Sequence, residues 1–310
     1  MEGPGAHFKA QEARMPERFG GLVDRLSDLD RRRIGEMDEA AIDVQVLSLA
    51  APGVQQLDAA DAVALARSTN DELVDAVRRH PDRLVGLATI ATPDPGAAAD
   101  ELERAARDLG FKGAVINGHT RGRYLDDEFF WPILERAEAL ALPIYLHPAL
   151  PPQAVSDVYY TGNFPAEVSR MFAMSAWGWH IETAVHVLRL ILSGTFDRFP
   201  ALQLIIGHLG EALPFMIERI DSNLPVQLTG LDQPVGAYLR RNVSYSVSGF
   251  NYTPVFLNLL LEVGAQRILF SADYPFASMK AAREFLNRLP VSPADRERIA
   301  HENAECLLGL

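Results

Sequence analysis

Three polar residues stand at the ends of short apolar runs that predict buried strands. His147 ends one run, His208 follows the next, and Asp273 follows the last of them. Imidazole nitrogens and carboxylate oxygens suit Zn²⁺ and similar cations as ligands, and both groups can transfer protons. If the strands are parallel, their C-terminal ends meet at one rim, so these three residues could share one site. The sequence has no G-x-S-x-G motif, so a metal or acid–base site is favoured over a nucleophilic one.

Two further polar residues follow or end predicted strands. Glu211 lies three residues after His208, where its carboxylate could orient the imidazole. It could equally be an acidic residue in the first turn of a helix, where it would complement the helix dipole. Asn117 ends a predicted strand and could either bind a substrate oxygen or serve a structural role. The sequence leaves these alternatives open.

An aromatic segment precedes a strongly predicted helix that begins at Glu182. Trp177, Trp179 and His180 lie in this segment. Two tryptophans and a histidine in a loop are typical of a substrate-binding wall. They would equally serve as a hydrophobic staple for the helix. His186 lies within the helix itself, where a surface or packing role is expected.

Short apolar runs alternate with longer segments of helical period along most of the chain. This alternation predicts an α/β protein with a parallel sheet, and seven strand–helix units favour a (β/α)8 TIM barrel over an open sheet. No buried strand is predicted before Ile42, so the first strand of the barrel is expected to be missing or divergent. We expect a single domain over residues 1–310, with residues 1–20 poorly structured or divergent. The seven runs are residues 42–49, 84–90, 113–117, 143–147, 202–207, 242–248 and 267–271.

Composition limits the partners and the location of the protein. The chain carries 41 acidic and 29 basic residues, a formal net charge of −12. Such a surface repels phosphate groups, so we expect neither nucleic acid nor a membrane as a partner. No apolar run approaches the ~20 residues of a membrane-spanning helix. Cys306 is the only cysteine, so no disulfide can form within the chain, which favours a cytoplasmic location.

Four stretches carry a resemblance to a known family. They begin at Arg31 (RRRIGEMDEAAIDVQVLSLAAPG), Tyr145 (YLHP), Glu182 (ETAVHVLRLILSGTFDRFPALQLIIGHLGEALPF) and Arg267 (RILFSADYPF). Together they resemble the amidohydrolase-related (amidohydrolase 2) family, which contains aminocarboxymuconate-semialdehyde decarboxylase and the γ-resorcylate (2,6-dihydroxybenzoate) decarboxylases. The stretch around His208 is the most specific, because it joins a helix, a turn, a strand and a catalytic histidine in one pattern.

The resemblance implies a TIM barrel of the metal-dependent hydrolase type that holds one divalent metal, usually zinc or manganese. His147 and Asp273 match metal ligands, and Asp273 can also shuttle a proton. His208 matches the catalytic histidine, Glu211 looks like its partner, and Asn117 matches a residue near the substrate. Relatives usually form dimers or tetramers, so a homodimer or homotetramer is expected.

The N-terminal region departs from the pattern of this family. The family's first strand carries H-x-H or E-x-H, which supplies two further metal ligands, and this sequence has neither motif. His7 has Gly5 two positions before it and lies on no predicted strand. We therefore expect the chain to start after the family's first strand, with only His147 and Asp273 left as ligands. Two protein ligands seldom hold zinc well, so metal occupancy is expected to be poor.

The leading functional prediction is non-oxidative decarboxylation of an aromatic or enol-type carboxylic acid, a small-molecule substrate. The metal would bind the carboxylate and a neighbouring oxygen, and Asp273 or His208 would protonate the ring carbon. The segment with Trp177 and Trp179 would pack on the ring. Two alternatives stay open at this point. One is metal-dependent hydrolysis of a lactone or amide, and the other is a metal-free, inactive barrel that lacks its N-terminal ligand strand.

Overall fold

Short parallel strands form the inner layer of the protein. A computed structural model describes residues 6–14 and 16–310, and the side chain of His7 lies outside what it describes. Each of the seven predicted runs contains a strand, because these runs are rich in the β-branched and other apolar residues that pack well in a buried sheet. The strands are β1 Gln45–Leu47, β2 Leu84–Gly86, β3 Ala88–Thr89, β4 Ala114–Asn117, β5 Ile144–His147, β6 Leu204–Ile206, β7 Val243–Ser246 and β8 Ile268–Leu269.

The strands follow one another around the sheet in chain order. β3 to β8 pair consecutively, and β1 pairs with β2. β2 and β3 are one run interrupted at Leu87, whose N–H donates to the carbonyl of Leu47 at 2.8 Å. The N–H of Ala88 donates to the carbonyl of Gly113 at 2.8 Å. This run therefore pairs with β1 on one side and with β4 on the other, and it joins the two sheets.

Side chains from strands that are not neighbours meet in one small cluster. Leu87, Ile205 and Leu269 pack there with Leu308, which belongs to the last helix, and with the ring of Tyr145. Distant strands can share a contact only if the sheet curls around it, so the cluster marks the interior of a barrel. Alternate residues of a strand point to opposite faces, so the neighbours of Tyr145 on β5 point outward and pack in the core beneath the helices.

Helices follow most strands and cover the outer face of the barrel. Residues 6–14 and 16–19 are helical, which differs from the poor structure expected for residues 1–20. The segment AHFKAQEAR is rich in strong helix formers, which accounts for the difference. No strand precedes β1 within the described residues. The helices are α1 Ala6–Arg14, α2 Pro16–Phe19, α3 Leu22–Ser27, α4 Arg31–Glu39, α5 Ala59–Arg79, α6 Pro95–Arg107, α7 Trp131–Ala139, α8 Gln153–Tyr159, α9 Ala166–Ala173, α10 Gly178–Leu192, α11 Thr195–Arg198, α12 Leu213–Asn223, α13 Val226–Thr229, α14 Val235–Arg241, α15 Thr253–Val263, α16 Met279–Arg288, α17 Pro293–Glu297 and α18 Asn303–Leu308.

Candidate active site

His147 and Asn117 stand side by side at the C-terminal rim, the edge of the barrel where the strands end. Asn117 on β4 pairs in register with His147 on β5. Because Tyr145 points into the barrel, His147, two residues further along the strand, points inward as well. Nδ1 of His147 lies 2.8 Å from the carbonyl of Pro148, which can only accept, so Nδ1 carries the proton and Nε2 offers a lone pair. Burial, with the nearby positive charge of His208, lowers the pKa of His147 to about 4 and keeps the ring neutral.

The turn after β6 holds the next functional residues in an unusual backbone conformation. His208, Leu209, Glu211 and Ala212 have φ values of 51°, 56°, 53° and 67°. Left-handed φ is uncommon for residues that carry a Cβ, and it persists where the surrounding structure enforces it, often at functional sites. α12 begins only at Leu213. Glu211 therefore precedes the helix instead of lying in its first turn, and the dipole interpretation of this residue is wrong.

The carboxylate of Glu211 lies between two imidazoles. Oε1 is 2.6 Å from Nδ1 of His208, and Oε2 is 2.5 Å from Nδ1 of His180. All three side chains are buried, and Glu211 is 1% exposed. A buried carboxylate is tolerated where hydrogen bonds and opposite charge offset its lost hydration. The predicted pairing of Glu211 with His208 is present in the structure, and His180 joins it as a second partner.

Electrostatic interactions favour an ionised Glu211 beside a protonated His208. Burial by itself would raise the pKa of Glu211, but the charge of His208 and the hydrogen bonds from His180 and His208 lower it to about 2. Burial opposes protonation of His208, yet the neighbouring carboxylate of Glu211 more than offsets this and raises the pKa of the ring. His208 can thus carry a proton that it could give up to a bound substrate.

His180, His208 and Glu211 also lie close enough together to enclose one cation. Their potential ligand atoms are within 4.8 Å of one another, the only such group of three or more His, Cys, Asp or Glu residues in the part of the chain that the structure describes. The distances of 2.5 and 2.6 Å are those of charge-assisted hydrogen bonds. Because Nδ1 of each imidazole faces an oxygen of Glu211 at these distances, we assign the group to hydrogen bonding.

Asp273 follows β8 and joins the same rim. Its φ is 60°, and Ser248, which follows β7, has a φ of 46°, so the turns after three successive strands contain left-handed residues. Burial raises the pKa of Asp273 to about 6, and the charges of His208 and His180 oppose that rise. The charge of Asp273 in turn raises the pKa of His208. These mutual effects place Asp273 within electrostatic reach of both imidazoles.

Aromatic rings surround the imidazoles at the rim. The ring centroid of Trp179 is 6.4 Å from that of His147. Phe250 lies 5.0 Å from His208 and 5.3 Å from His180, centroid to centroid. Trp177 is half exposed, at the start of α10. Phe250 was not predicted from the sequence, although its position just after the sixth predicted strand is a signal that could have indicated it.

A pair of buried amide side chains lies beside this group. Oδ1 of Asn117 and Oε1 of Gln55 are buried, and neither has a hydrogen-bond partner among the described residues. Both amides approach Gly53, where a Cβ would stand 2.4 Å from Gln55 Oε1 and 2.5 Å from Asn117 Nδ2. Gly53 therefore leaves room for the two amides. Gln55 was not identified from the sequence, because glutamine in a loop carries no pattern.

Hydroxyl groups line the barrel interior below the rim. Oγ of Ser248 lies 2.6 Å from Oγ of Ser246 and 3.2 Å from the hydroxyl of Tyr145. The N–H of Ser248 donates to Oγ of Ser271 at 2.7 Å. Each hydroxyl group both donates and accepts, so the network can satisfy its own members. The sequence analysis did not identify this network.

The side chains of His147 and Asp273 are of chemical types that bind divalent cations. His147 offers a neutral imidazole with Nε2 available, and Asp273 offers a carboxylate whose pKa is raised by burial and whose charged form a cation would stabilise. The Asp273 carboxylate accepts no hydrogen bond from another described residue. Catalytic zinc sites usually have three protein ligands, so these two residues match the chemistry of such a site but not its usual ligand number.

Comparisons with known proteins identify the family of the chain. The Amidohydrolase family profile matches residues 7–310. The γ-resorcylate decarboxylase of Polaromonas sp. (strain JS666) is 37% identical, over 98% of this chain and 97% of that protein. The structure of a dihydroxybenzoic acid decarboxylase from Polaromonas sp. JS666, with bound manganese and the inhibitor 2-nitroresorcinol, is 36% identical with a TM-score of 0.89, over 97% of this chain and 92% of that one. The structure of 5-carboxyvanillate decarboxylase from Sphingomonas paucimobilis is 35% identical with a TM-score of 0.87, over 94% of this chain and 86% of that one.

A barrel of parallel strands with histidine and aspartate at its C-terminal rim defines a class of enzymes of the metal-dependent hydrolase type. Within this class, the chain belongs to the amidohydrolase family. The three relatives are decarboxylases, so the predicted fold class and the predicted carbon–carbon lyase activity, decarboxylation within the amidohydrolase superfamily, are confirmed. Among the described residues, no helix combines the length and the apolar character needed to span a membrane.

Proposed function

We propose that the protein removes the carboxyl group of a hydroxylated aromatic acid at the C-terminal rim of its barrel. The observation that carries this proposal is the buried pair of His208 and Glu211, in which the carboxylate raises the pKa of the imidazole. Non-oxidative decarboxylation requires a general acid that delivers a proton to carbon. The imidazole of His208, whose pKa is raised by the buried carboxylate of Glu211, meets this requirement.

The proposed reaction proceeds by protonation of the ring. A proton is transferred from His208 or Asp273 to the ring carbon that bears the carboxylate. The bond between this carbon and the carboxylate then breaks, its electron pair restores the aromatic ring, and CO₂ leaves. The acid regains its proton from solvent, so each turnover consumes one proton. Glu211 favours the protonated form of His208 before the transfer.

We propose that His147 and Asp273 hold a divalent cation, zinc or manganese. The manganese in the structure of the Polaromonas decarboxylase supports manganese. A bound cation would supply positive charge to neutralise the substrate carboxylate and orient the ring. His147 contributes a ring already oriented by its hydrogen bond to the carbonyl of Pro148.

Substrate contacts are proposed for the residues around the imidazoles. Oδ1 of Asn117 lacks a partner and would accept a hydrogen bond from a ring hydroxyl. Trp179 and Phe250 would pack against the ring, while Trp177, half exposed, would contact only a larger substituent.

Turnover of defined acids tests the proposed function. Purified protein supplied with manganese or zinc is incubated with 2,6-dihydroxybenzoate, 5-carboxyvanillate and unsubstituted benzoate, and CO₂ release is measured. We expect release from at least one hydroxylated acid, and we expect His208→Ala to abolish it without lowering the metal content. His301→Ala, at an exposed position on the far C-terminal segment, serves as the control. Undiminished release by His208→Ala would overturn the assigned role, and absence of release from every hydroxylated acid would overturn the function.

Three further features are proposed with their support. The described residues belong to a single domain, since the main hydrophobic cluster includes residues from Met37 to Ile299. The protein forms a homodimer or homotetramer, because Phe215 on α12 and Leu261 on α15 are 79% and 83% exposed on helices that pack together. Light scattering would test this assembly. A cytoplasmic location, supported by the single cysteine, would be tested by cell fractionation.

A further inference from the structure

Both ring nitrogens of His180 are occupied in the structure. Nδ1 lies 2.5 Å from Oε2 of Glu211, and Nε2 lies 3.1 Å from Nε1 of Trp179. Nε2 is also 3.1 Å from the carbonyl oxygen of Ser175. The residue is 9% exposed. A substrate would therefore find neither nitrogen free.

The partners of His180 define its tautomer. The indole N–H of Trp179 can only donate, so the lone pair of Nε2 must accept this bond. The proton of a neutral His180 ring then lies on Nδ1, where it is donated to Glu211. The carbonyl oxygen of Ser175 is also at hydrogen-bonding distance from Nε2. It could accept a hydrogen bond only if Nε2 carried a proton, and Nε2 could then no longer accept the hydrogen bond from Trp179.

A continuous series of hydrogen bonds results from this assignment. Trp179 donates to His180, His180 donates to Glu211, and Nδ1 of His208 donates to the other oxygen of the same carboxylate. Each oxygen of Glu211 is thus held by one imidazole, and the carboxylate cannot rotate without breaking a charge-assisted hydrogen bond. Because Nδ1 of His208 is engaged, its Nε2 is the nitrogen left to act on a substrate.

We infer that His180 is a positioning residue that acts through Glu211, which it holds in the orientation that directs Nε2 of His208 to the substrate. This inference rests on the proposed function, in which His208 is an acid. It replaces the predicted role of His180 in a substrate-binding wall. His180 is well placed for the task because it lies in the first turn of α10, whose inner face is packed in the barrel core and therefore gives a rigid support.

Two amide variants separate the two hydrogen bonds of His180. In His180→Asn the amide stands where Nδ1 stood and can still donate to Glu211, but it cannot reach Trp179. In His180→Gln the amide extends towards the position of Nε2, so the bond to Glu211 is lost while an acceptor for Trp179 is kept. Both replacements are neutral amides at a buried position, so thermal unfolding of both variants controls for a general loss of stability.

Kinetics of the pair test the role in catalysis. For a positioning residue we expect His180→Gln to lower kcat by about 10- to 100-fold with KM within threefold of the wild type, the effect of one lost hydrogen bond to a charged group. His180→Asn should recover most of the wild-type kcat. Equal losses in both variants, or a rise in KM at constant kcat, would overturn the inference, since these results indicate a structural or a substrate-contacting residue.

NMR of histidine side chains tests the geometry without any substrate. With ¹⁵N-labelled histidine, the wild type should show His180 as the Nδ1–H tautomer and two strongly downfield imidazole protons, one each from His180 and His208. His180→Gln should remove one of these signals and keep the other. An Nε2–H tautomer of His180 would overturn the inference. If the wild type releases no CO₂ from any acid, the proposed function fails, while the tautomer still decides whether the hydrogen-bond series exists.

Discussion

Replacement of Glu211 by glutamine removes the buried negative charge that two imidazoles share. The pKa of Glu211 falls from its ordinary value of 4.5 to about 2, although burial alone would raise it. This difference means that the surroundings stabilise the charged carboxylate over its protonated form by about 3 kcal/mol. If His208 must be protonated to act, loss of this interaction raises the barrier by a similar amount, and we expect kcat of Glu211→Gln to fall about a hundredfold. The NH₂ group of the glutamine would also point at the Nδ1–H group of one imidazole. Two donors cannot form a hydrogen bond with each other, so the proton of that ring would have to move to Nε2.

The assay is steady-state CO₂ release from the hydroxylated acid that the wild type turns over best. Glu101→Gln is a matched control, because Glu101 on α6 is also buried and hydrogen-bonded, to Asn70 on α5 and to Arg104, and has no hydrogen bond to either imidazole. We expect the control to keep wild-type kcat and to lose stability only. A kcat of Glu211→Gln within threefold of the wild type would refute the assigned role of the carboxylate.

Three other outcomes are expected. His147→Ala and Asp273→Asn should each lower the manganese or zinc bound per chain, measured by elemental analysis, whereas unchanged metal content in both would show that the cation binds elsewhere. Asn117→Ala should raise KM for a hydroxylated acid several-fold more than for an acid without the hydroxyl group, and equal effects would refute the hydrogen bond to the hydroxyl. His186 is buried and its Nε2 accepts the N–H of Leu125 at 2.9 Å, and burial lowers its pKa from 6.5 to about 3. Because the folded pKa lies below the unfolded one, the unfolded chain binds the proton first, and the free energy of unfolding falls as the pH drops from about 6.5 towards 3. His186→Gln, which keeps an acceptor, should make this fall less steep by up to about 1.4 kcal/mol per pH unit in urea titrations; an unchanged slope would contradict the assignment.

The positions of the strand-end residues were predictable because they follow from a simple periodicity. A buried strand alternates inward and outward, and parallel strands end at the same edge. Once the apolar runs ending near His147, His208 and Asp273 were recognised, their shared location at the rim followed.

The local conformations and long-range contacts were not predictable from the sequence. Left-handed backbone is usually indicated by glycine, and nothing in the residues His208 and Glu211 indicates that they adopt it. The hydrogen bond between His180 and Glu211 joins residues 31 positions apart, on α10 and in the turn after β6, and depends on how these elements pack. The unpartnered oxygen of Gln55 likewise becomes visible only when all neighbouring atoms are placed.

Decarboxylation in D₂O tests the central claim most directly, because the proposed reaction places one solvent-derived hydrogen on one carbon. Metal-supplied wild-type protein is incubated with a hydroxylated benzoate, and the product is examined by NMR and mass spectrometry. We predict a single deuterium on the carbon that bore the carboxyl group, formed together with CO₂, and no such product with His208→Ala. A product that lacks deuterium at that carbon would contradict protonation of the ring by an acid at the rim of this barrel.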